Sequence, residues 1–426
     1  MNRSPNTLSL LSAVKAIEDG TLTAEGLVQS CLERIAERDE AVGAWMHVAG
    51  DAARSAAGQG AVGPLRGVPV GIKDLIDTVD MPTGYGSPIY DGYRPGWDAA
   101  CVSRIRNAGG IILGKTVTTE FAYFGPGKTA NPHDPGRTPG GSSSGSAAAV
   151  ADFQIFAALG TQTAGSVVRP ASFCGVVGYK PTYGVLPLAG VRALAPSMDH
   201  VGVFARTVQD AGYLASIIGR RPALVLEDIL ENWAPRIGFC RTHEWDHAEA
   251  GTQALLSDAA AALGVAGAKV TDVKLPMSYA SLAVVQAQVM DYEVSFSGLY
   301  EVTNHRDQVS AKYLERFEVG AELGAEMYDA AKQQAATACA ELDNIMGECD
   351  VLMCPSAPGE APQGLQATGD PVFNRIWSLL GVPCVSVPGL IGAAGMPVGV
   401  QIIGRPGDDA RVLKAASWVH AILAKK

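Results

Sequence analysis

From residue 68 onward, short apolar runs alternate with longer stretches whose apolar residues recur at helical spacing. Runs of this length, bounded by glycine, proline and polar residues, are typical of buried strands. They lie at 68–72, 111–113, 156–159, 176–178, 201–204, 237–240, 351–354, 384–387 and 398–403. Short apolar strands that alternate with helices predict an α/β fold, with a mostly parallel mixed β-sheet covered by helices on both faces.

The helical patterns divide the rest of the chain. Two amphipathic helices are expected within 7–40, separated by a turn at Gly20, with Thr23 as N-cap of the second. Further helical patterns lie at 207–218, 252–263 and 410–424, and 282–348 is predicted to be largely helical. The Pro/Gly-rich loops at 125–146 and 355–371 lack the length and composition of free linkers. Residues 1–426 are therefore predicted to form one domain, with its N-terminal helices within 7–50.

Composition narrows the class of protein. The chain has 426 residues, of which 47% are hydrophobic and 18% charged, enough for a large core. Its formal net charge is −10, and the sequence contains no run of basic residues. Neither nucleic acid nor an anionic membrane surface is therefore an expected partner. No window of about 20 apolar residues predicts a membrane span. Eight cysteines without a C-x-x-C pair indicate free thiols, and no secretory signal pattern is present, so a cytoplasmic protein is expected.

Three segments carry candidate chemistry. Residues 138–146 have the sequence TPGGSSSGS and residues 160–166 the sequence GTQTAGS, so both place serine on a Gly-rich turn. Residues 67–74, GVPVGIKD, place Lys73 at the end of a strand-like apolar run. Nucleophilic hydrolysis needs a hydroxyl, a base to deprotonate it and backbone N–H groups that hold an oxyanion. These segments contain the parts of a Ser-Ser-Lys hydrolase.

Four other motifs match known patterns in the wrong context. Residues 109–116 fit the P-loop pattern, but their Ile-Ile-Leu centre favours a core strand. Residues 58–63 fit the dinucleotide fingerprint but follow a helical stretch, which indicates a surface turn. Residues 243–247 fit the zinc-protease helix, yet polar flanks predict a solvated loop, and no metal is expected. Ser143 lies in a G-x-S-x-G pattern, but a loop precedes it where a nucleophile elbow needs a strand.

The three candidate segments, together with 173–182, 197–208 and 397–406, occur in an order that resembles the amidase signature family. The resemblance implies the amidase signature fold, a signature core at about 67–210 and amide hydrolysis without a cofactor. Carried over by position, it implies Ser166 as nucleophile, Ser142 as a bridging serine behind a cis peptide and Lys73 as base. The oxyanion hole would consist of the backbone N–H groups of Thr163, Ala164, Gly165 and Ser166.

The implied mechanism depends on the protonation of Lys73. A lysine in water has a pKa of about 10.4 and is protonated, so it is no base. Burial among Val68, Val70 and Ile72 disfavours the charged form and is expected to lower this pKa. Neutral Lys73 then accepts a proton through Ser142 from Ser166, which attacks the amide and forms an acyl-enzyme.

Within the family, the sequence is most similar to the bacterial malonamidases at several positions. These are Gln162, Arg169, the triple serine at 142–144 and the segment 367–371. The resemblance implies a small, malonamate-like or otherwise anionic amide, with Gln162 and Arg169 as substrate-binding residues. Phe124, in the apolar segment 121–124, is a further candidate for substrate binding that would favour a larger or more aromatic substrate. Arg169 binds a substrate carboxylate or holds its own loop, and Phe124 lines the acyl pocket or packs in a hydrophobic turn; the sequence leaves both alternatives open.

The resemblance also suggests a homodimer that acts on a small-molecule amide. One alternative is the glutaminase-type subunit of a tRNA-dependent amidotransferase, which would act within a complex. A second alternative is a P-loop nucleotide-binding protein. Ammonia release by the purified chain without partners separates the first alternative from a free amidase.

Overall fold

Eleven strands form one continuous sheet in the computed structural model, which describes residues 4–123, 125–226 and 233–424. Their order across the sheet is β1-β3-β2-β4-β6-β5-β10-β11-β9-β7-β8. The strands are β1 Trp45–Val48, β2 Pro69–Lys73, β3 Ile111–Thr116, β4 Ala157–Gln162, β5 Val177–Lys180, β6 His200–Ala205, β7 Arg236–Cys240, β8 Lys269–Val273, β9 Val351–Pro355, β10 Cys384–Ile391 and β11 Pro397–Ile403. The expected α/β class and mixed sheet are confirmed.

Strand direction differs from the expectation of mostly parallel pairing. Among the described strands, β2 pairs in parallel with β3 and β4, and β7 with β8 and β9. The other six pairings are antiparallel. Only residues 392–396 separate β10 from β11, and a connection this short allows an antiparallel hairpin but no crossover. Strands buried on both faces give the same continuous apolar run in either direction, so the pattern could not distinguish them.

The nine predicted strands are all present, and most extend further at their carboxyl ends. The two strands that the sequence did not predict, β1 and β8, lie at the two edges of the sheet. β1 has only four residues and an irregular register, and β8 is largely solvent-accessible. Neither strand has the continuous apolar run that marks the buried ones.

Fourteen helices surround this sheet in the described part of the chain. They are α1 Leu10–Glu18, α2 Ala24–Val42, α3 Gly50–Gly58, α4 Ala100–Asn107, α5 Ser144–Ala151, α6 Val168–Cys174, α7 Val208–Gly219, α8 Ala250–Val265, α9 Leu282–Ser297, α10 Leu299–Asn304, α11 Ala311–Glu322, α12 Ala325–Met346, α13 Val372–Leu379 and α14 Asp409–Leu423. The N-cap prediction is confirmed, because Thr23 Oγ1 accepts a hydrogen bond of 3.1 Å from the Gly26 N–H. No described helix has both the length and the apolarity to cross a bilayer.

The misleading motifs take the structures that their context predicted. The P-loop match runs from the end of α4 into β3, a fully buried core strand. The dinucleotide match begins at the end of α3, and residues 245–247 of the zinc-protease match form a single 3₁₀ turn. The nucleotide-binding alternative therefore loses its structural basis.

Helix α5 lies unusually close to the sheet at Gly145. A Cβ atom there would be 2.2 Å from the Ala44 carbonyl oxygen and 2.4 Å from the Val117 nitrogen, both backbone atoms that cannot rotate away. We expect Gly145→Ala to lower the free energy of unfolding by about 1–3 kcal/mol, as overpacking typically does. Thermal unfolding measures the effect. Gly251→Ala is the matched control, since nothing lies within 4 Å of that Cβ position on α8, and an equal melting temperature for both variants would contradict the close approach.

Candidate active site

The three candidate segments meet at one end of β2 and β4. Lys73 is the last residue of β2, and Ser142 lies two residues before the start of α5, behind a cis Gly141–Ser142 peptide. Residues 163–167 form the turn between β4 and α6. The structure thus brings together a lysine and two serines that lie up to 93 positions apart in the sequence.

Lys73 is fully buried and contacts two hydroxyl groups. Its Nζ donates hydrogen bonds of 2.7 Å to Ser142 Oγ and of 2.7 Å to Thr161 Oγ1. Burial lowers the pKa of Lys73 well below its ordinary value, and the charge of Asp199 opposes this shift only in part. No carboxylate lies within ion-pair distance of Lys73 in the described part of the chain. Burial thus favours the neutral amine beside the Ser142 hydroxyl, and this is the form of lysine that can act as a base.

Two other lysines are fully buried, and they make different contacts. Lys115 Nζ lies 3.2 Å from Asp74 Oδ1 in an ion pair. Lys180 Nζ donates to the backbone carbonyls of Pro181 and Val382. Among these three lysines, Lys73 alone contacts a serine hydroxyl.

Ser142 and Ser166 line the same narrow cleft. Ser166 is 8% exposed and lies two residues before the start of α6. The remaining lining residues are Ala122, Tyr123, Thr163, Ala164, Arg169, Leu194 and Met290. A substrate in this cleft would meet both serines together with the turn 163–166.

The backbone N–H groups of residues 163–166 donate no hydrogen bond to any described residue. Instead, Gln162 Oε1 accepts from the next two amides, those of Val167 at 2.8 Å and Val168 at 2.9 Å. The turn therefore presents four free donors beside Ser166, the arrangement that an oxyanion hole requires. Gly165 fits this turn because a Cβ would lie 2.5 Å from Asn374 Oδ1.

Gln162 itself is completely buried. Its Nε2 donates to Ser378 Oγ at 2.9 Å, and Ser378 Oγ in turn donates to the Ala164 carbonyl at 2.7 Å. Every one of these contacts stabilises the turn, and Gln162 is absent from the cleft lining. The structure thus places Gln162 behind the turn and not in the substrate contact that the sequence suggested.

Arg169 lines the cleft, but its described hydrogen bonds join two loops. Its Nη2 donates to the Gly141 carbonyl at 2.6 Å, and its Nη1 donates to the Gly369 carbonyl at 2.7 Å. The side chain is 2% exposed, and burial lowers its pKa. Of the two roles considered from the sequence, these contacts match the one in which Arg169 holds its loop. Phe124, the third expected substrate-binding residue, lies outside the described residues.

Ser143 is not placed as a nucleophile elbow. Its Oγ accepts from the Thr161 N–H and donates to the Thr161 carbonyl, both at 3.2 Å, which fixes α5 to β4. It is fully buried, and a loop precedes it as the sequence indicated. This geometry removes the basis for the nucleophile elbow that the G-x-S-x-G pattern would suggest at Ser143.

Asp199 is a polar residue of the site to which sequence reasoning assigned no role. Its Oδ1 accepts from Thr163 Oγ1 at 2.5 Å, and its carboxylate also accepts from the amides of Leu194 and Ala195. Burial raises the pKa of Asp199 to about 6. Asp199 therefore fixes the first residue of the free-amide turn and supplies a negative charge near Lys73.

Comparison with known proteins places this geometry in a family. Residues 26–413 match the family described as Amidase. A glutamyl-tRNA(Gln) amidotransferase subunit from Anaeromyxobacter sp. (strain K) is 35% identical, with 96% of this chain and 95% of that protein aligned.

Two solved structures agree with this assignment. One, described as an amidase, has 30% identity and a TM-score of 0.87 over 97% of this chain and 99% of the other. The other is the corresponding amidotransferase subunit from Thermotoga maritima, with 30% identity and a TM-score of 0.82 over 98% and 95%. These curated relatives are amidotransferase subunits, so they give no support to the finer resemblance to malonamidases drawn from Gln162, Arg169, the triple serine at 142–144 and 367–371. The match over most of the chain and the shared fold show that the chain belongs to the amidase family and is an amide-cleaving enzyme.

Proposed function

We propose that this enzyme hydrolyses a small carboxylic amide to the acid and ammonia, with Ser166 as nucleophile, Ser142 as proton relay and Lys73 as base. The 2.7 Å hydrogen bond between the buried Lys73 Nζ and Ser142 Oγ carries this proposal. Ser142 lies between the lysine and the cleft that Ser166 also lines. An ammonia-release assay across anionic, neutral aliphatic and aryl amides tests it.

The reaction proceeds in two halves. Neutral Lys73 takes the proton of Ser142, and Ser142 takes the proton of Ser166 while Ser166 Oγ bonds to the amide carbon. The free N–H groups of 163–166 hold the resulting oxyanion. The C–N bond then breaks, the leaving nitrogen receives the proton back through Ser142, and ammonia departs. Water repeats the attack on the acyl ester, which releases the acid and regenerates Ser166.

A second, more specific candidate is a glutaminase-type component that delivers ammonia within an amidotransferase complex. The identity of 35% over almost the whole chain to a protein of that kind supports it. That alignment runs over 468 positions, more than the 426 residues here, so segments of the relative have no counterpart in this chain. The net charge of −10 favours nucleic-acid contact through other members of such a complex and not through this chain.

Two measurements separate a free amidase from a component of a complex. A free amidase, which we expect to be a homodimer in the cytoplasm, turns over its amide as a purified chain. The glutaminase of a complex hydrolyses glutamine slowly by itself and much faster after addition of the other purified amidotransferase proteins from the same organism. Light scattering of the purified chain reports its oligomeric state, and glutamine turnover that is independent of the added proteins would contradict the second candidate.

Substitution of Asp199 tests the proposed base, because the direction in which it should shift the pH profile is known. Its negative charge raises the pKa of Lys73, so Asp199→Asn is expected to lower that pKa further. Because the neutral lysine is the active form, the ascending limb of kcat/KM then moves to lower pH. Thr163→Val is the comparison, since it keeps the carboxyl group but removes a hydrogen bond that lowers the pKa of Asp199, and it should move the limb in the same direction by less than Asp199→Asn does. An unshifted limb in Asp199→Asn would show that the limb reports another group.

A further inference from the structure

The turn 163–166 is held in place through its carbonyl groups. Three consecutive carbonyls accept hydrogen bonds, those of Thr163, Ala164 and Gly165. The donors are Gln286 Nε2 of α9 at 3.4 Å, Ser378 Oγ of α13 at 2.7 Å and the Arg169 N–H of α6 at 3.0 Å. Of the two side-chain donors, Ser378 thus makes the shorter hydrogen bond, and it holds the middle peptide of the turn.

A carbonyl that is held in this way also fixes the direction of the next amide. In a trans peptide, the C=O and N–H groups lie in one plane and point in opposite directions. The peptides of this turn are trans, since the one cis bond among the described residues is Gly141–Ser142. Ser378 is absent from the cleft lining, whereas Ala164 belongs to it. The hydrogen bond from Ser378 therefore turns the Gly165 N–H away from α13 and toward the cleft.

The partners of Ser378 determine where its proton lies. The amides of Val167 and Val168 can only donate, so the Gln162 atom that accepts from both is the oxygen Oε1. The other atom is then the nitrogen Nε2, which donates to Ser378 Oγ at 2.9 Å. A hydroxyl has a single proton, and in Ser378 this proton is donated to the Ala164 carbonyl. The chain of hydrogen bonds thus runs from the end of the turn, through α13, back to its middle.

Burial makes this chain difficult to replace. Ser378 is 1% exposed, and Gln162 is completely buried. Asn374 lies one helical turn before Ser378 on α13, is also completely buried and packs against Gly165. A buried polar group that loses its partner is costly. Without the Ser378 hydroxyl, the Ala164 carbonyl and Gln162 Nε2 would both lose a partner, and the middle peptide of the turn would no longer be held.

We propose that Ser378 is a positioning residue, which directs the Gly165 N–H at the oxyanion without touching the substrate. The oxyanion forms only as Ser166 Oγ bonds to the amide carbon, so this donor acts in the transition state and contributes little to substrate binding. Loss of the Ser378 hydroxyl therefore lowers kcat and leaves KM nearly unchanged. This inference rests on the proposed function.

The first test separates kcat from KM on the full-length enzyme. Ser378→Ala is expected to lower kcat for the best amide about 10–100-fold and to change KM by less than about threefold. Ser378→Thr keeps the hydroxyl and should restore most of the loss. Ser216→Ala is the matched control, because this buried serine of α7 also donates to a backbone carbonyl at 2.7 Å, that of Tyr213. It should keep the wild-type kcat, and thermal unfolding of the three variants reports whether each is folded.

A thioamide substrate distinguishes oxyanion stabilisation from general disorder of the site. In the thioamide, sulfur replaces the carbonyl oxygen and accepts N–H hydrogen bonds only weakly. Ser378→Ala should therefore lower kcat for the thioamide by less than about threefold, while it lowers kcat for the matching amide about 10–100-fold. Equal losses for the two substrates, or an unchanged kcat for the amide, would overturn the positioning role.

Covalent labelling of Ser166 keeps this inference distinct from the proposed reaction. When a fluorophosphonate reacts, Ser166 Oγ bonds to phosphorus, fluoride leaves, the hydroxyl proton passes to Ser142, and the phosphoryl oxygen occupies the place of the oxyanion. Ser378→Ala should slow this labelling at least about tenfold, and Ser216→Ala should not. Labelling of Ser378→Ala at the wild-type rate would overturn the positioning role even where amide hydrolysis stands. Labelling that depends on Ser378 in an enzyme that hydrolyses no amide would keep the role and overturn the proposed reaction.

Discussion

Ser166→Ala is expected to remove essentially all amide hydrolysis while leaving the fold intact. The substitution deletes the one atom that bonds to the substrate carbon, and loss of a serine nucleophile in other hydrolases costs about 10⁴-fold or more. Ser166 lines the cleft and its side chain makes no hydrogen bond to described residues, so its removal should not disturb neighbouring segments. Ammonia release and thermal unfolding measure the two effects separately.

Ser143→Ala is the matched control for this result. The substitution removes the hydroxyl of the residue next to Ser142. That hydroxyl forms its hydrogen bonds with the Thr161 backbone, so its loss should reduce stability more than turnover. More than about a hundredth of wild-type turnover in Ser166→Ala would exclude Ser166 as the nucleophile.

Lys73→Arg is expected to be nearly as inactive as Lys73→Ala. One variant keeps a positive charge and the other removes it, but neither provides a neutral amine, because arginine does not deprotonate in proteins. Wild-type kcat/KM should rise with pH through the lowered pKa of Lys73 and then level off, since the base exists only above that pKa. Assays of both variants and a pH profile of the wild type measure these effects.

Lys115→Arg is the comparison for Lys73. Lys115 is equally buried, but its ion pair with Asp74 needs only a positive charge. It should therefore retain more activity than Lys73→Arg. Near-normal turnover by Lys73→Arg would show that Lys73 acts only as a cation.

The sequence was informative where chemistry and structure depend on local pattern. Continuous apolar runs predicted the buried strands, and the Gly-Ser turns marked both serines that the structure brings to one cleft. The pattern also separated strand β3 from a true P-loop, because Ile111 and Ile112 favour a strand whatever the flanking glycines.

It was less informative where a residue's role depends on distant partners. Gln162 faces inward, where its Oε1 accepts from the amides of Val167 and Val168 and its Nε2 donates to the hydroxyl of Ser378, a contact across 216 positions. Asp199 and Arg375 reach the turn at 163–166 only through tertiary contacts. Asp199 contacts Thr163 itself, and Arg375 acts through Gln286 of α9. The edge strands β1 and β8 are stabilised by pairing with the neighbouring strands of the sheet and have no continuous apolar run, so the local sequence pattern did not predict them.

Trapping the acyl-enzyme tests the central claim most directly. The wild-type enzyme would be quenched in acid during turnover of its best amide and mapped by peptide mass spectrometry, with a parallel reaction in hydroxylamine. The account predicts one acyl group, located on Ser166 itself by fragmentation of its peptide, together with hydroxamate formation that Ser166→Ala abolishes. An acyl group on Ser142 or Ser143, or hydroxamate formed equally by Ser166→Ala, would contradict it.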